Sequence, residues 1–194
     1  MMINAVTLKL SSVSQRLPVL LLLLACLLPL HLQAEPHEDK LRQVKTAILF
    51  NIAKFVRWPD NAIANNPDHM TICYYRENSL RPAVQTITGK TVQQRTVNDK
   101  LIHSLTEADH CAMLFIPLSQ IRRFAEDQAH HGPLPVLTVA DLTESDSGAT
   151  SGSRAAINLI RQGTRIGLDV YLPEVSRSGL TISSELLKLA RIRR

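Results

Sequence analysis

The sequence predicts an α/β domain: a mostly parallel sheet with helices on both faces, closed by a C-terminal β-hairpin and a helix. Three observations carry this. Apolar residues first recur at helical spacing, from Leu41 to Val56. Short apolar runs such as Cys111 to Ile116, uniform enough to be buried on both faces, then alternate with helical stretches. Near the end, two strand-like segments flank a turn at Gln162-Gly163, which is a hairpin signal.

Residues 1–34 read as an export signal, which leaves 35–194 as one domain. Lys9 and Arg16 supply positive charge, no Asp or Glu precedes Glu35, and Leu17 to Leu32 is almost wholly apolar. Leu32-Gln33-Ala34 offers a small residue for cleavage. Pro18 and Pro29 interrupt the run, which is short for a stable membrane span of about 20 residues. An uncleaved anchor is the alternative. Lipidation at Cys26 is a further one, although Leu27, Leu28, Leu30 and Leu32 carry the apolar run past that cysteine.

In the remaining domain, Leu41, Val44, Lys45, Ile48, Leu49, Ile52, Phe55 and Val56 mark a helix that Asp39 could cap and Trp58-Pro59 ends. Residues 60–68 are a loop. Met70 to Tyr75 reads as a strand, Arg81 to about Gly89 as a short helix, and Thr91 to Val97 as an alternating, more exposed strand. Asp99 is a candidate cap for a helix through Leu105. The strand Cys111 to Ile116 follows. Ser119 is a candidate cap for a helix to about Ala129, and Val136 to Val139 is the next strand. Thr143 to Ser153 is rich in Ser, Gly, Asp and Thr, hence an exposed loop. Ala156 to Ile160 and Arg165 to Leu172 form the hairpin. Pro173 to Ser178 is a helical turn, and Ser183-Ser184-Glu185 opens a last helix with Leu186, Leu187, Ala190 and Ile192 on its apolar face.

Charge and motifs exclude more than they assign. Losing Lys9 and Arg16 takes two from 22 basic residues, against 17 acidic ones, so the domain carries about +3, concentrated in Arg191, Arg193 and Arg194. That is not the basic stripe of a nucleic-acid binder. No G-x-G-x-x-G, phosphate loop or G-x-S-x-G elbow occurs. Ser151-Gly152-Ser153 lacks the strand-turn-helix setting of a nucleophile. His130-His131 are adjacent, whereas helical metal ligands sit three or four apart. No catalytic residue, metal ligand or cofactor is assigned. Of three cysteines, Cys73 and Cys111 fall in two core strands. In an exported domain they are expected to form one disulfide, two buried free thiols being the alternative.

Three segments resemble the YfiR family of small periplasmic regulators. The first is Ala47-Ile48-Leu49-Phe50-Asn51-Ile52-Ala53-Lys54-Phe55-Val56-Arg57-Trp58-Pro59. The second is Thr71-Ile72-Cys73 with His110-Cys111-Ala112-Met113-Leu114-Phe115-Ile116. The third runs from Ile157-Asn158-Leu159-Ile160 through Arg165-Ile166-Gly167-Leu168-Asp169-Val170 to Leu180-Thr181-Ile182-Ser183-Ser184-Glu185-Leu186-Leu187-Lys188-Leu189-Ala190. Some relatives carry a second disulfide before the third segment, where this chain has Ser145, Ser147, Ser151 and Ser153.

The resemblance implies a periplasmic, non-enzymatic protein that binds the periplasmic domain of an inner-membrane diguanylate cyclase and keeps it off. Cyclic di-GMP and biofilm output would then be under its control. It further implies sequestration by an OmpA-like outer-membrane lipoprotein. A homodimer is left open. Arg165, Asp169, Arg177, Ser183 and Glu185 are the candidate partner-binding residues, with Phe55, Arg57 and Trp58 as the next anchor. Two other classes stay in view: a periplasmic small-ligand binding module, because α/β sheets bind ligands at their strand ends, and a hydrolase, for which no nucleophile–base pair is found.

Overall fold

Helix α1 (Pro36–Phe55) starts with a proline, whose fixed φ suits the first helical turn. Glu38 and Asp39 in that turn and Lys54 in the last complement the helix dipole. Asp39 therefore lies inside the helix rather than capping it, and pairs with Arg42 at 2.7 Å. The computed structural model describes residues 36–58, 67–145, 153 and 155–194. The export signal, Pro59 with most of the loop after it, and most of the Ser-rich loop lie outside the described residues.

Past α1 the chain runs straight into β1 (Val56–Arg57). Among the described residues an eight-stranded sheet has the order β10-β8-β7-β6-β5-β2-β4-β3. Its strands are β2 (His69–Tyr75), β3 (Thr91–Val92), β4 (Arg95–Ile102), β5 (Met113–Ile116), β6 (Leu137–Leu142), β7 (Ile157–Gln162), β8 (Arg165–Tyr171) and β10 (Ala190–Arg193). Neighbours run parallel except within the hairpins β3–β4 and β7–β8. The fold class expected from the sequence is the one observed.

Alternation across the strands builds two cores. Ile72, Tyr74, Met113 and Phe115 join Leu49 and Ile52 of α1 on one face. Cys73, Tyr75, Leu114 and Ile116 join Phe124 of helix α2 (Ile121–His131) on the other. Parallel strands buried on both faces explain why their sequences read as largely apolar runs. Cys73 and Cys111 are disulfide-bonded, with Cα atoms 5.8 Å apart.

Several local expectations need correction. Thr91 to Val97 is not one strand: Gln93 and Gln94, with φ of 49° and 65°, reverse the chain between β3 and β4. Two left-handed residues in a two-residue loop match the twist of a hairpin, a role that Asn-Gly would have announced and Gln-Gln hides. Asp99 sits within β4 and caps nothing. The 3₁₀ turn Leu105–His110 is capped by Ser104, with Glu107 completing a capping box. Polar β4 is a strand because it pairs along seven positions with β2, and tertiary pairing overrides propensity. Ser119 donates to Glu77 at 2.7 Å instead of capping α2, which starts two residues later after the 3₁₀ turn Leu118–Gln120.

The last correction bears on function. The hairpin turn is Gly163-Thr164, one residue later than expected, with Gln162 paired to Arg165. After the short helix α3 (Leu172–Arg177), β9 (Thr181–Ile182) pairs antiparallel with β1. Helix α4 (Ser184–Lys188) is brief, and Ser183 caps it by accepting the Leu186 N–H. Ala190 and Ile192 are not on its face. They belong to β10, which lies parallel to β8, so β8 is an inner strand.

Candidate docking site

The hairpin brings Arg165 to the start of β8, where it is exposed, with half-buried Ile166 beside it. Helix α1 lies alongside. Leu41, Val44 and Ile48 recur at i, i+3 and i+7, so they form one stripe. Between stripe and hairpin runs a groove of about 490 Å³. Its floor is Leu41, Val44, Ile48 and Ile166, and its rim is His37, Lys40, Thr164 and Arg165. Val44 remains 42% exposed, so this part of the stripe is not covered by the protein's own fold. The lining contains cations and no carboxylate. Such a groove suits an apolar segment with acidic flanks.

Asp169 is four residues along the same strand and has the opposite character. It is fully buried. Parallel pairing sets Arg191 of β10 directly opposite, and its Nε donates to Asp169 Oδ1 at 2.7 Å while Nη2 donates to Oδ2. Arg193, two residues on and so on the same face, donates to Oδ2 at 3.3 Å. A carboxylate taken from water needs such pairing, and the planar guanidinium fork supplies it.

The other candidates lie elsewhere. Arg177 ends α3, pairs with Glu174 at 2.6 Å, and borders a recess with Gln128 and Gly132 at the end of α2. Ser183 borders a cleft with Phe55, Arg57, Gln93 and Thr181. There Gln93 Nε2 donates to the carbonyls of Ala53 and Val56, at 3.0 and 2.8 Å, and ties the β3–β4 turn to the end of α1. Glu185 sits in the first turn of α4, where its own backbone N–H and then the Ser183 hydroxyl hold its carboxyl below the usual range. Arg165, Arg177 and Ser183 thus border three different recesses, and Asp169 is interior.

Sequence reasoning missed Lys40, Leu41, Val44 and Ile48 as groove residues, because a helical stripe looks the same whether or not something covers its margin. It also read Arg191 and Arg193 as mere terminal charge. Nothing local announces a partner 22 residues away.

Two comparisons bear on the chain. Residues 42–191 match the model of a family described as YfiR/HmsC-like, a range that holds the disulfide, the hairpin, Asp169 and Arg191. No curated protein matches it.

Proposed function

We propose, because this chain belongs to the YfiR/HmsC-like family, that it is an exported regulatory protein acting by docking and without catalysis. Its partner is the periplasmic domain of an inner-membrane diguanylate cyclase, which it holds inactive. An OmpA-like outer-membrane lipoprotein competes for it and releases the cyclase. Export follows from the signal at residues 1–34, removed near Ala34.

The observation that supports this reading best is the groove between α1 and the hairpin. It is apolar, uncovered, cationic at the rim and bordered by Arg165. Desolvating Val44, Leu41 and Ile166 would supply the association energy, and Arg165 and Lys40 would select an acidic flank. The cleft at Phe55, Arg57 and Ser183 is the second contact area in this reading.

The test uses Val44→Asp and Arg165→Glu. Both positions are exposed, so both variants should melt within about 2 °C of the parent. Cyclic di-GMP should rise in cells carrying either one, and the mature domain should no longer retain the cyclase from detergent-solubilised membranes. Normal melting with full repression in both variants would remove the groove from the interface.

A further inference from the structure

The connection order of the sheet reverses between β2 and β5. From β2 the chain moves to β4 on one side, then crosses back to β5 on the other. The segments leaving the carboxyl ends of β2 and β5 therefore diverge, and open α/β sheets leave a ligand-sized crevice at such a point. Here that crevice measures about 430 Å³. Glu77, Ser79 and Leu80 wall it from the β2 side, and Pro117 and Ser119 from the β5 side. Helix α1 and the end of β6 complete it.

Its charges are uneven. Lys45 and Asp141 meet at 2.7 Å on the inner wall, with side chains only 7% and 10% exposed. Thr143 donates to the same carboxylate from its N–H at 3.1 Å and its hydroxyl at 2.7 Å. A buried ion pair of this kind adds little to stability over an apolar pair of similar volume. Arg42, the other cation of the lining, is engaged by Glu38 at 2.8 Å and Asp39 at 2.7 Å. The lining holds four carboxylates against these two cations. Glu77 is bonded by the Ser119 hydroxyl, and Glu144 only approaches Lys45 at 3.6 Å. Leu41, Leu80 and Pro117 supply apolar surface. The crevice thus combines an apolar surface and a surplus of negative charge.

We propose that this crevice, which shares only Leu41 with the docking groove, is a ligand site for a small organic cation: an amine whose ammonium binds Glu77 and Glu144 while its short carbon chain lies on Leu80 and Pro117. An anion would meet the surplus carboxylates, and the two cations of the lining are already paired within the protein.

The probe is 1,4-diaminobutane, titrated into the mature, disulfide-bonded protein and followed by NMR of the Leu80 and Leu118 methyl groups. Succinate and 1,4-butanediol provide the opposite charge and no charge on the same four-carbon chain. Saturable shifts with the diamine alone are expected. Glu77→Gln and Glu144→Gln should each weaken binding about tenfold, the worth of one charged hydrogen bond. Arg165→Glu should leave it unchanged, so failure here is distinguishable from failure of the docking reading. The proposal is overturned if the diamine moves neither methyl group, if succinate or butanediol moves them equally, or if the double Gln variant binds as tightly as the parent. The comparison of the three probes on the parent protein needs no variant to fold.

Discussion

The Asp169 clamp makes an asymmetric prediction, because its two sides differ in burial. Asp169 is 0% exposed, whereas the Arg191 and Arg193 side chains are 49% and 41% exposed. Removing both arginines leaves an uncompensated charge in the interior, at a cost of about 3–5 kcal/mol. For a domain of this size, that corresponds to a melting temperature lower by about 6–20 °C. Asp169→Ala leaves two guanidinium groups already half in water. They rehydrate, and the loss is that of charged hydrogen bonds, about 1.5–3 kcal/mol. Asp169→Lys adds a third cation where none can be solvated and should cost at least as much as losing both arginines. The assay is urea and thermal unfolding of Arg191→Ala/Arg193→Ala, Asp169→Ala, Asp169→Lys and the triple Ala variant, which should recover part of the loss of the double. An Asp169→Ala penalty equal to or above that of the arginine double, or an Asp169→Lys variant that melts with the parent, would refute the argument. It follows that charge reversal at Asp169 reports on folding and cannot serve as a clean probe of docking, unlike reversal at exposed Arg165.

Three further outcomes are expected. Cys111→Ser opens a loop spanning 38 residues and should cost about 4 kcal/mol on the chain-entropy argument, read as a lower urea midpoint, while the parent titrates no free thiol among Cys73 and Cys111 when denatured without reductant. Asp127 is held below the usual carboxylate range first by the Tyr75 hydroxyl and then by Arg123 and Arg76. A depressed folded-state value means stability that is present above the unfolded-state value and lost as the pH falls, so the parent should lose its advantage over Asp127→Asn as the pH falls through and below the ordinary aspartate value of about 4; parallel unfolding profiles for the two through that descent would contradict this. N-terminal sequencing of the exported protein should start near Glu35, and retention of Leu21 to Leu24 would rule out cleavage at Ala34.

Several features were legible because burial writes itself into local pattern. Residues 70–75 and 113–116 are buried on both faces, so their runs are apolar apart from Thr71. The 3.6-residue recurrence of Leu41 to Val56 marked α1, and two buried cysteines marked the disulfide, although Cys111 lies two residues before β5 rather than in a strand as expected. A glycine near the tip marked the β7–β8 hairpin. Other features depend on residues that meet only after folding. Arg191 finds Asp169 because β10 adds in parallel beside β8, a pairing that turns a candidate partner-binding carboxylate into an interior one. Polar β4 is held as a strand by β2. The groove exists because α1 stops short of covering its own apolar margin where the hairpin passes, and the crevice because strand order reverses between β2 and β5. Local sequence reports how buried a residue is. Which distant residue buries it is decided by strand pairing and helix packing, since those contacts join segments with no shared period or spacing.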